Sequence, residues 1–570
     1  MSDAARWRRL AVALAVSAAA AALPAAPAGT AGSVFDTGPR PLALEQATNE
    51  KLASKVDAVF ARWTSASPGC AVGVSVDAKT VLQRAYGMAD LEHDAPNTPE
   101  TIFEAGSVSK QFTAAAVLLL ARDGKLSLDD PVRKHVPELP DYGAPVTVRM
   151  MLQHTSGLRD WGSVATIGGW PRGTRAYAHS HVLDIVRRQE SLNFEPGTRW
   201  SYSNTGYNLA AMIVSRVAET AFAEFTRRRI FEPLGMARSS WRDDFTRVVK
   251  GRALAYSDRG GHYVTDMPFE NAHGNGGLLT TVGDLLAWNA NFTAPRVGDA
   301  EFVRLLQESG QFNDGRAHDY ALGLFIGRYK GLPMVSHGGS TAGYRAFVAR
   351  FPEQRLSVAV LCNAGNAEAE PSGLAVADLY LGDRARAPAA LRPAAIPPER
   401  LDVLAGLYRN VSTGAPMTVA RDREILRVDG NEAFVPTSAF RFIALDGIRS
   451  LEFDDRTATL DAGHGTVDSF ERVPVAKPTA AQLGECAGVY VSEEAEVVML
   501  AVVVGSELRL MRRPDVAMRL KPLYTDAFEA PLGTILFRRD ASGRVSGFSL
   551  MQDRVWDLRF TRRAGLEQVR

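Results

Sequence analysis

Residues 101–124 read Thr101-Ile-Phe-Glu-Ala-Gly-Ser-Val-Ser-Lys-Gln-Phe-Thr-Ala-Ala-Ala-Val-Leu-Leu-Leu-Ala-Arg-Asp-Gly124, a short turn followed by strong helix formers. Gly106 and Ser107 are typical of a turn and a helix cap, and Gly124 stands where a left-handed C-terminal cap belongs. Lys110 follows one helical turn after Ser107, so the two side chains should lie on the same face. The sequence therefore predicts a hydroxyl and an amine in contact at a helix N-terminus.

Such a pair suits nucleophilic catalysis. The positive end of the helix dipole favours an alkoxide at Ser107 and disfavours a protonated amine at Lys110, and burial would lower the lysine pKa further. A neutral lysine can act as a base, whereas an arginine stays protonated. The Ser-x-x-Lys spacing alone is a weak signal, because a cap and a surface cation give the same pattern.

Two further stretches strengthen the catalytic interpretation. Residues 196–209 read Pro-Gly-Thr-Arg-Trp-Ser-Tyr-Ser-Asn-Thr-Gly-Tyr-Asn-Leu, which places Tyr202 and Asn204 on a loop ahead of an apolar helical run. Residues 335–340 read Val-Ser-His-Gly-Gly-Ser. The order Ser-x-x-Lys, Tyr-x-Asn, His-x-Gly resembles the motif set of the serine β-lactamase and penicillin-recognising family, in the variants of its class C-like branch. The resemblance covers residues 40–385.

The resemblance implies a role for each motif. Ser107 would attack a carbonyl carbon and form an acyl-enzyme, while Lys110 and Tyr202 would share the proton transfers. The two would titrate as a coupled pair, so the choice of base between them stays open. Backbone N–H groups of Ser107 and Ser340 would form the oxyanion hole. The substrate-binding residues that the resemblance implies are Asn204, His337, Gly339 and Ser340.

His337 stands where the lactamase pattern has a lysine, so a fixed cation for a substrate carboxylate is replaced by a group that is mostly neutral above pH 7. This favours D-amino-acid amides, peptides or esters as substrates over β-lactams. A D-alanyl-D-alanine carboxypeptidase or a promiscuous esterase or β-lactamase is the alternative, with Arg345 as a possible source of charge. An alternative of another class is a non-catalytic protein that binds peptidoglycan or peptides, against which Lys110 beside Ser107 argues.

The resemblance also implies an α+β fold. The strand patterns around 70–88 and 334–362 would join in one antiparallel sheet, with a helical lobe from about residue 100 to 300 beside it and the active site between them. Cys70 and Cys362 lie in strands that this sheet would bring together, so a bridge is conceivable. We favour buried free thiols there, because three cysteines are too few for a disulfide framework.

A second region follows a Pro/Ala-rich linker at residues 386–400. Leu404-Ala-Gly-Leu-Tyr408 and Cys486-Ala-Gly-Val-Tyr490 echo each other, and each opens a series of short alternating strands. This predicts two small antiparallel β-barrels, residues 401–474 and 481–570. They resemble the lipocalin-like modules of D-aminopeptidases.

The barrels could serve only stability or dimerisation, or they could take part in specificity. In D-aminopeptidases of this build, a loop of the last barrel reaches the cleft. The matching stretch here is Leu523–Leu536, in which Asp526 or Glu529 could bind a substrate ammonium and Phe528 could close the pocket.

The N-terminus, residues 1–31, reads as a signal peptide, with a basic segment at Arg6, Arg8 and Arg9 and an apolar segment too short to span a bilayer. We therefore expect a periplasmic or secreted protein. Net charge +1 and the lack of a basic run argue against nucleic acid, and no second long apolar segment predicts a membrane span. His179 and His181 have no third ligand nearby in sequence, so we expect neither metal nor cofactor. The partner is a small peptide, amide or ester; the oligomeric state stays open, and a dimer is possible.

Overall fold

The structure is a computed structural model that describes residues 42–386, 393–445, 447–454, 456–513 and 516–563. The predicted signal peptide lies outside the described residues, as do residues 387–392 of the predicted linker. The described chain forms an α+β region followed by two closed barrels, as the sequence predicts. None of its described helices is both long and apolar enough to cross a membrane.

A six-stranded antiparallel sheet is the centre of the α+β region. In spatial order its strands are Phe325–Tyr329, Leu332–Thr341, Tyr344–Phe351, Leu356–Cys362, Cys70–Val76 and Lys79–Tyr86. Strands Leu356–Cys362 and Cys70–Val76, which are neighbours inside this sheet, read as almost continuous apolar runs because both of their faces are covered. The predicted union of N-terminal and later strands is confirmed.

Cys70 and Cys362 form a disulfide across this sheet, so our preference for free thiols is wrong. The two residues are direct partners in the register of neighbouring antiparallel strands, with their Cα atoms 4.0 Å apart. The register therefore brings the two thiols together, which the sequence pattern could suggest but not establish. The remaining thiol, Cys486, is buried and free.

One face of the sheet is covered by the first and last helices of this region, Leu42–Val59 and Ala369–Leu381, around a core that includes Phe60, Val74 and Phe347. The helical lobe packs on the other side. Its α-helices are Lys110–Arg122, Val148–Leu152, Trp161–Ile167, His179–Arg187, Asn204–Ala218, Phe222–Thr226, Glu232–Leu234, Val282–Ala290 and Ala300–Leu306.

Helix Lys110–Arg122 is the centre of the lobe, because every residue from Lys110 to Leu120 is buried. Its Ala/Leu-rich sequence suits a helix that is covered on all sides. It packs against helix Asn204–Ala218, which brings the first and second sequence motifs together. Short strands Phe103–Glu104, Ser240–Trp241 and Leu278–Thr280 form a small sheet beside the turn that precedes this helix.

Each barrel is an eight-stranded up-and-down meander in which the first and last strands also pair. The first contains strands Gly406–Asn410, Pro416–Asp422, Ile425–Val428, Glu432–Pro436, Arg441–Ala444, Ser450–Phe453, Thr457–Asp461 and Val467–Val473. The second contains Gly488–Ser492, Val497–Val504, Glu507–Arg512, Val516–Pro522, Ala527–Ala530, Gly533–Arg539, Val545–Gln552 and Val555–Arg563. Helices Pro398–Leu404 and Ala480–Glu485 precede them.

The sequence echo between the barrels corresponds to the same local structure. The Tyr408 hydroxyl donates to the carbonyl of Leu404 at 2.8 Å, and the Tyr490 hydroxyl donates to the carbonyl of Cys486 at 2.8 Å. In each case the tyrosine ties the opening strand back to the helix before it, and its ring fills the barrel core. The repeated Ala-Gly-x-Tyr motif therefore joins the first strand of each barrel to the helix before it.

Candidate active site

Ser107 lies in a 3-10 turn, Gly106–Ser109, that continues directly into helix Lys110–Arg122. In the described part of the chain no side chain caps this turn or helix, so the prediction of Ser107 as a cap is wrong. Gly106 has a φ of +51°, and a Cβ there would lie 2.6 Å from the backbone nitrogen of Ser340. Glycine is required at this point, and the close approach holds Ser107 beside the strand that carries the third motif.

The Lys110 side chain is buried, and its Nζ has three oxygen neighbours. They are Ser107 Oγ at 3.2 Å, Asn204 Oδ1 at 3.0 Å and the Asn275 carbonyl at 2.6 Å. The two Asn oxygens can only accept hydrogen bonds. A neutral amine has two N–H groups for them and one lone pair left for the Ser107 proton. The geometry therefore fits a neutral Lys110 that can take the proton of Ser107.

Electrostatics favour the same protonation state. Burial lowers the pKa of Lys110 well below its usual range, and the positive charges of Arg554 and Arg172 lower it further. Asp160 opposes this shift. The guanidinium of Arg172 is held by Glu270, with Nε to Oε1 at 3.0 Å. Desolvation is the largest effect, so the neutral amine follows mainly from the buried position of the helix.

Tyr202 lies on the loop just before helix Asn204–Ala218, with its hydroxyl beside Ser107. Burial raises the pKa of Tyr202, and the nearby Ser107 hydroxyl offsets only part of the rise, so the phenol stays protonated. Lys110 Nζ lies 4.8 Å from the centroid of the ring. The structure thus brings together the three side chains of the predicted catalytic set.

His154 supports the loop of Tyr202. The two rings lie 4.3 Å apart, and His154 Nδ1 accepts a hydrogen bond from the backbone of Ser203 at 3.2 Å. The carbonyl of His154 accepts another from the backbone of Ser201 at 3.0 Å. These contacts give His154 a positioning role.

Asn204 is held through both its backbone and its side chain. Its backbone nitrogen donates to Asp160 Oδ2 at 2.7 Å, and its amide oxygen accepts from Lys110. The other oxygen of Asp160 accepts from the backbone of Ser163 at 3.0 Å and caps helix Trp161–Ile167. Asp160 therefore joins two helix N-termini at the site. Its own sequence context, a cap before an apolar run, gave no sign of this second contact.

His337 is neutral, as expected. Its Nδ1 lies 2.6 Å from the carbonyl of Gly338, which can only accept, so Nδ1 carries the hydrogen and Nε2 accepts from the Tyr320 hydroxyl at 3.0 Å. Burial lowers the pKa of His337 to about 3. Nη1 of Arg345 donates to the carbonyls of Ala342 and Tyr344, each at 2.7 Å, so this part of the guanidinium is held by its own turn.

Gly339 and Ser340 form the edge of the site opposite the turn Gly106–Ser109, which carries Ser107. A Cβ on Gly339 would lie 2.1 Å from the carbonyl oxygen of Ala105, so the strand Leu332–Thr341 packs directly on this turn. The backbone nitrogen of Ser340 faces Gly106 in the same contact. The oxyanion and substrate contacts expected of Asn204, His337, Gly339 and Ser340 stay predictions, because they concern a bound substrate.

The second barrel reaches the site through a different turn from the one predicted. Asp526 pairs with Arg539, with Oδ1 to Nη2 at 2.8 Å, and Phe528 is buried in the barrel core. The segment at the site is the tight turn 553–554 between the last two strands. There the guanidinium carbon of Arg554 lies 4.8 Å from the centroid of the Tyr202 ring.

The first barrel touches the same region from another side. His464 stacks on Trp200 with the rings 4.3 Å apart, and its Nδ1 lies 2.5 Å from Asp319 Oδ1. The carbonyl of Gly465 accepts a hydrogen bond from Arg316 at 3.0 Å. Trp200 is two residues before Tyr202, so the first barrel supports the loop of the second motif.

Sequence reasoning missed three residues of the site: Asn275, Asp160 and Arg554. Asn275 comes directly before the glycine pair Gly276-Gly277, and this Gly-rich stretch is the sequence signal that could have drawn attention to it. No sequence feature singled out Arg554, because it is an arginine like many others in this chain and lies in the turn of a barrel hairpin.

Comparison with known proteins agrees with this geometry. Residues 50–381 match the family described as Beta-lactamase. A D-aminopeptidase of Cereibacter sphaeroides is 30% identical over 438 residues, which cover 75% of this chain and 80% of that protein. A D-aminopeptidase of Gluconobacter oxydans is 29% identical over 327 residues, which cover 56% of this chain and 60% of that protein.

Two solved structures share the fold. The octameric penicillin-binding protein homologue from Pyrococcus abyssi has a TM-score of 0.53 and 24% identity, and covers 82% of this chain and 99% of its own. The D-amino acid amidase from Ochrobactrum anthropi SV3 has a TM-score of 0.50 and 24% identity over 59% of this chain and 99% of its own. With its family match spanning more than half of the sequence, this chain belongs to the Beta-lactamase family and is a serine hydrolase.

Proposed function

We propose that the protein is a D-aminopeptidase-like hydrolase that cleaves D-amino-acid-containing peptides or amides through an acyl-enzyme on Ser107. The observation that carries the proposal is the length of the match to the Cereibacter D-aminopeptidase. At 438 residues it exceeds the matched catalytic region, residues 50–381, and so must include sequence beyond that region. The neutral His337 supports it too, since no fixed cation stands in the third motif to select a β-lactam carboxylate.

Acylation would begin at the Ser107 hydroxyl. As Oγ bonds to the substrate carbonyl carbon, its proton passes to the lone pair of Lys110 Nζ, which lies 3.2 Å away. Tyr202, which keeps its own proton, relays one to the leaving nitrogen as the C–N bond breaks. This assigns Lys110 as the base and Tyr202 as the relay. The oxyanion would lie between the backbone N–H groups of Ser107 and Ser340.

Deacylation would use the same groups in reverse. Water attacks the ester carbonyl, the Lys110 and Tyr202 pair takes the proton of the water, and Ser107 Oγ regains a proton as the ester bond breaks. The product is a free D-amino acid when the substrate is an N-terminal D-residue. Apart from water and the substrate, each step uses side chains that lie close to Lys110 in the described structure.

The test is a parallel substrate screen on the mature protein. We expect D-Ala p-nitroanilide to be cleaved in preference to its L-isomer, and Ser107→Ala to lose about a thousandfold or more in kcat. Equal rates on both isomers, or turnover of nitrocefin, D-Ala-D-Ala peptides or p-nitrophenyl esters alone, would replace the proposal with one of the other serine hydrolase activities. If a fluorophosphonate adds no mass to the protein, the non-catalytic binding alternative is supported instead.

We also propose export to the periplasm or the exterior. The basic and apolar segments of residues 1–31 support it, and so does the Cys70–Cys362 disulfide, since such bonds persist mainly in oxidising compartments. Fractionation of cells that express the full sequence, with N-terminal sequencing of the product, tests it. A cytoplasmic product with an uncleaved N-terminus would refute it.

A further inference from the structure

The backbone of Arg554 is hydrogen-bonded to the catalytic region. Its carbonyl accepts hydrogen bonds from the backbone of Asp160 at 3.3 Å and from Asn193 Nδ2 at 3.1 Å. Asn193 Oδ1 in turn accepts from the backbone of Trp556 at 2.8 Å. The backbone of the hairpin turn is thus held at Arg554 and Trp556, and the guanidinium of Arg554 lies over the ring of Tyr202.

The charge of Arg554 has little to neutralise it. Among the described residues, its acidic neighbour is Asp553, with Nε to Oδ2 at 3.7 Å. Asp553 is 77% exposed, so this contact is weak, whereas the Arg554 side chain is 33% exposed and lies over the ring of Tyr202. By contrast, Arg172, the other cation that lowers the pKa of Lys110, is bound by the nearly buried Glu270.

The remaining candidates for a cation at the cleft are not free. His337 is uncharged because Nδ1 donates to a carbonyl and Nε2 accepts from a hydroxyl. Arg345 is bound to backbone carbonyls of its own turn. Arg554 therefore offers the N–H donors of a guanidinium to whatever lies beside Tyr202, and such a fork matches a carboxylate in geometry and charge.

We propose that Arg554 binds a carboxylate on the leaving group of the substrate, so that the enzyme favours D-aminoacyl peptides with a free carboxylate on the residue after the scissile bond. This rests on the proposed function, in which Tyr202 delivers a proton to the leaving nitrogen. The carboxylate of a single leaving residue lies about 3–4 Å from that nitrogen, and a hydrogen bond adds about 3 Å. The carboxylate of a leaving residue whose nitrogen lies beside the Tyr202 hydroxyl is therefore within reach of the Arg554 guanidinium, which lies over the Tyr202 ring.

The test compares D-Ala-Gly with D-Ala-glycinamide, which differ only in the charge of the leaving group. For the parent we expect a higher kcat/KM on the acid. Arg554→Met should reduce that preference about tenfold or more, mainly through KM, and should leave the ratio of D- to L-Ala p-nitroanilide turnover unchanged. Arg554→Lys should keep part of the preference, because it retains the charge but not the fork.

Arg559→Met is the matched control. Arg559 lies in the same hairpin, is 58% exposed and pairs with Asp557 instead. We expect it to keep the parental preference. Turnover of D-Ala p-nitroanilide without any preference for the acid, or equal losses on acid and amide in Arg554→Met with an unchanged melting temperature, would overturn the role of Arg554 while the proposed function stands. No turnover of any D-substrate would overturn both.

Discussion

Replacing Glu494 by alanine should weaken the interface between the second barrel and the catalytic region. Glu494 and Arg159 form an ion pair across this interface, with side chains 5% and 0% exposed. Arg159 also donates to Ser191 Oγ at 2.8 Å and to the carbonyl of Asp557 at 2.9 Å. The Glu494 carboxylate accepts a second bond from the backbone of Glu190 at 2.8 Å. The variant would therefore leave the Arg159 charge buried without its counter-ion.

Breaking a buried pair from one side costs about 3–5 kcal/mol, because the remaining charge is left without compensation. The loss should also affect the active site, because Arg159 directly precedes Asp160. In addition, the Arg159 carbonyl accepts a hydrogen bond from Thr205 Oγ1 at 2.6 Å, at the start of the helix that carries Asn204. We expect a lower midpoint for the first unfolding transition and a lower kcat/KM. Denaturant unfolding followed by intrinsic fluorescence, analysed transition by transition, measures the first.

Glu493→Ala is the matched control, one residue away in the same turn. Glu493 pairs with Arg563 at 3.3 Å, but the two side chains are 79% and 64% exposed, so the expected loss is about 0–1 kcal/mol. The double variant Arg159→Leu with Glu494→Leu should recover part of the stability, because it removes both charges. Equal losses for Glu493→Ala and Glu494→Ala would refute the reasoning, since burial would then not decide the cost.

Three further predictions follow from the site and the core. Lys110→Arg should keep the fold but lose at least about a hundredfold in kcat, because arginine cannot accept the proton of Ser107; near-parental turnover would contradict this. His337→Gln should leave the shape of the kcat/KM profile between pH 5 and 8 unchanged, since His337, with its pKa lowered to about 3, does not titrate there. Burial raises the pKa of Glu370 from 4.5 to about 7, so its ionisation costs stability as pH rises between these values. Glu370→Gln should therefore raise the melting temperature at pH 8 and not at pH 4.

The sequence was most informative where chemistry and local structure depend on neighbouring residues. Ser107 and Lys110 lie one turn apart, so their contact follows from helix geometry, and the buried run after them predicts the central helix. The two barrels were predictable from alternating strands and from a repeated opening motif that proves to be a repeated tyrosine contact. Both are properties of short segments.

What could not be predicted depends on how distant segments approach. Cys70 and Cys362 pair because of a register between strands far apart in sequence. The second barrel contacts the site through residues 553–554 rather than 523–526 because turns in an up-and-down barrel alternate between its two ends. The turns at 493–496 and 553–554 share one end, and both face the catalytic region, as the contacts of Glu494 and Arg554 show. The turn at 523–526 lies at the other end.

This arrangement couples the barrel to the chemistry as well as to the shape of the cleft. The turn that carries Arg554 is bonded through its backbone to Asp160, and Asp160 holds the backbone of Asn204, whose side chain accepts from Lys110. The charge of Arg554 acts on the pKa of Lys110 directly, in the same direction as burial. A change in this barrel turn therefore alters the proton acceptor by two routes, one through hydrogen bonds and one through the electric field. Because the barrel provides both the hydrogen bonds through Asp160 and the charge of Arg554, its removal should change the pH profile of the catalytic region and not only widen the cleft.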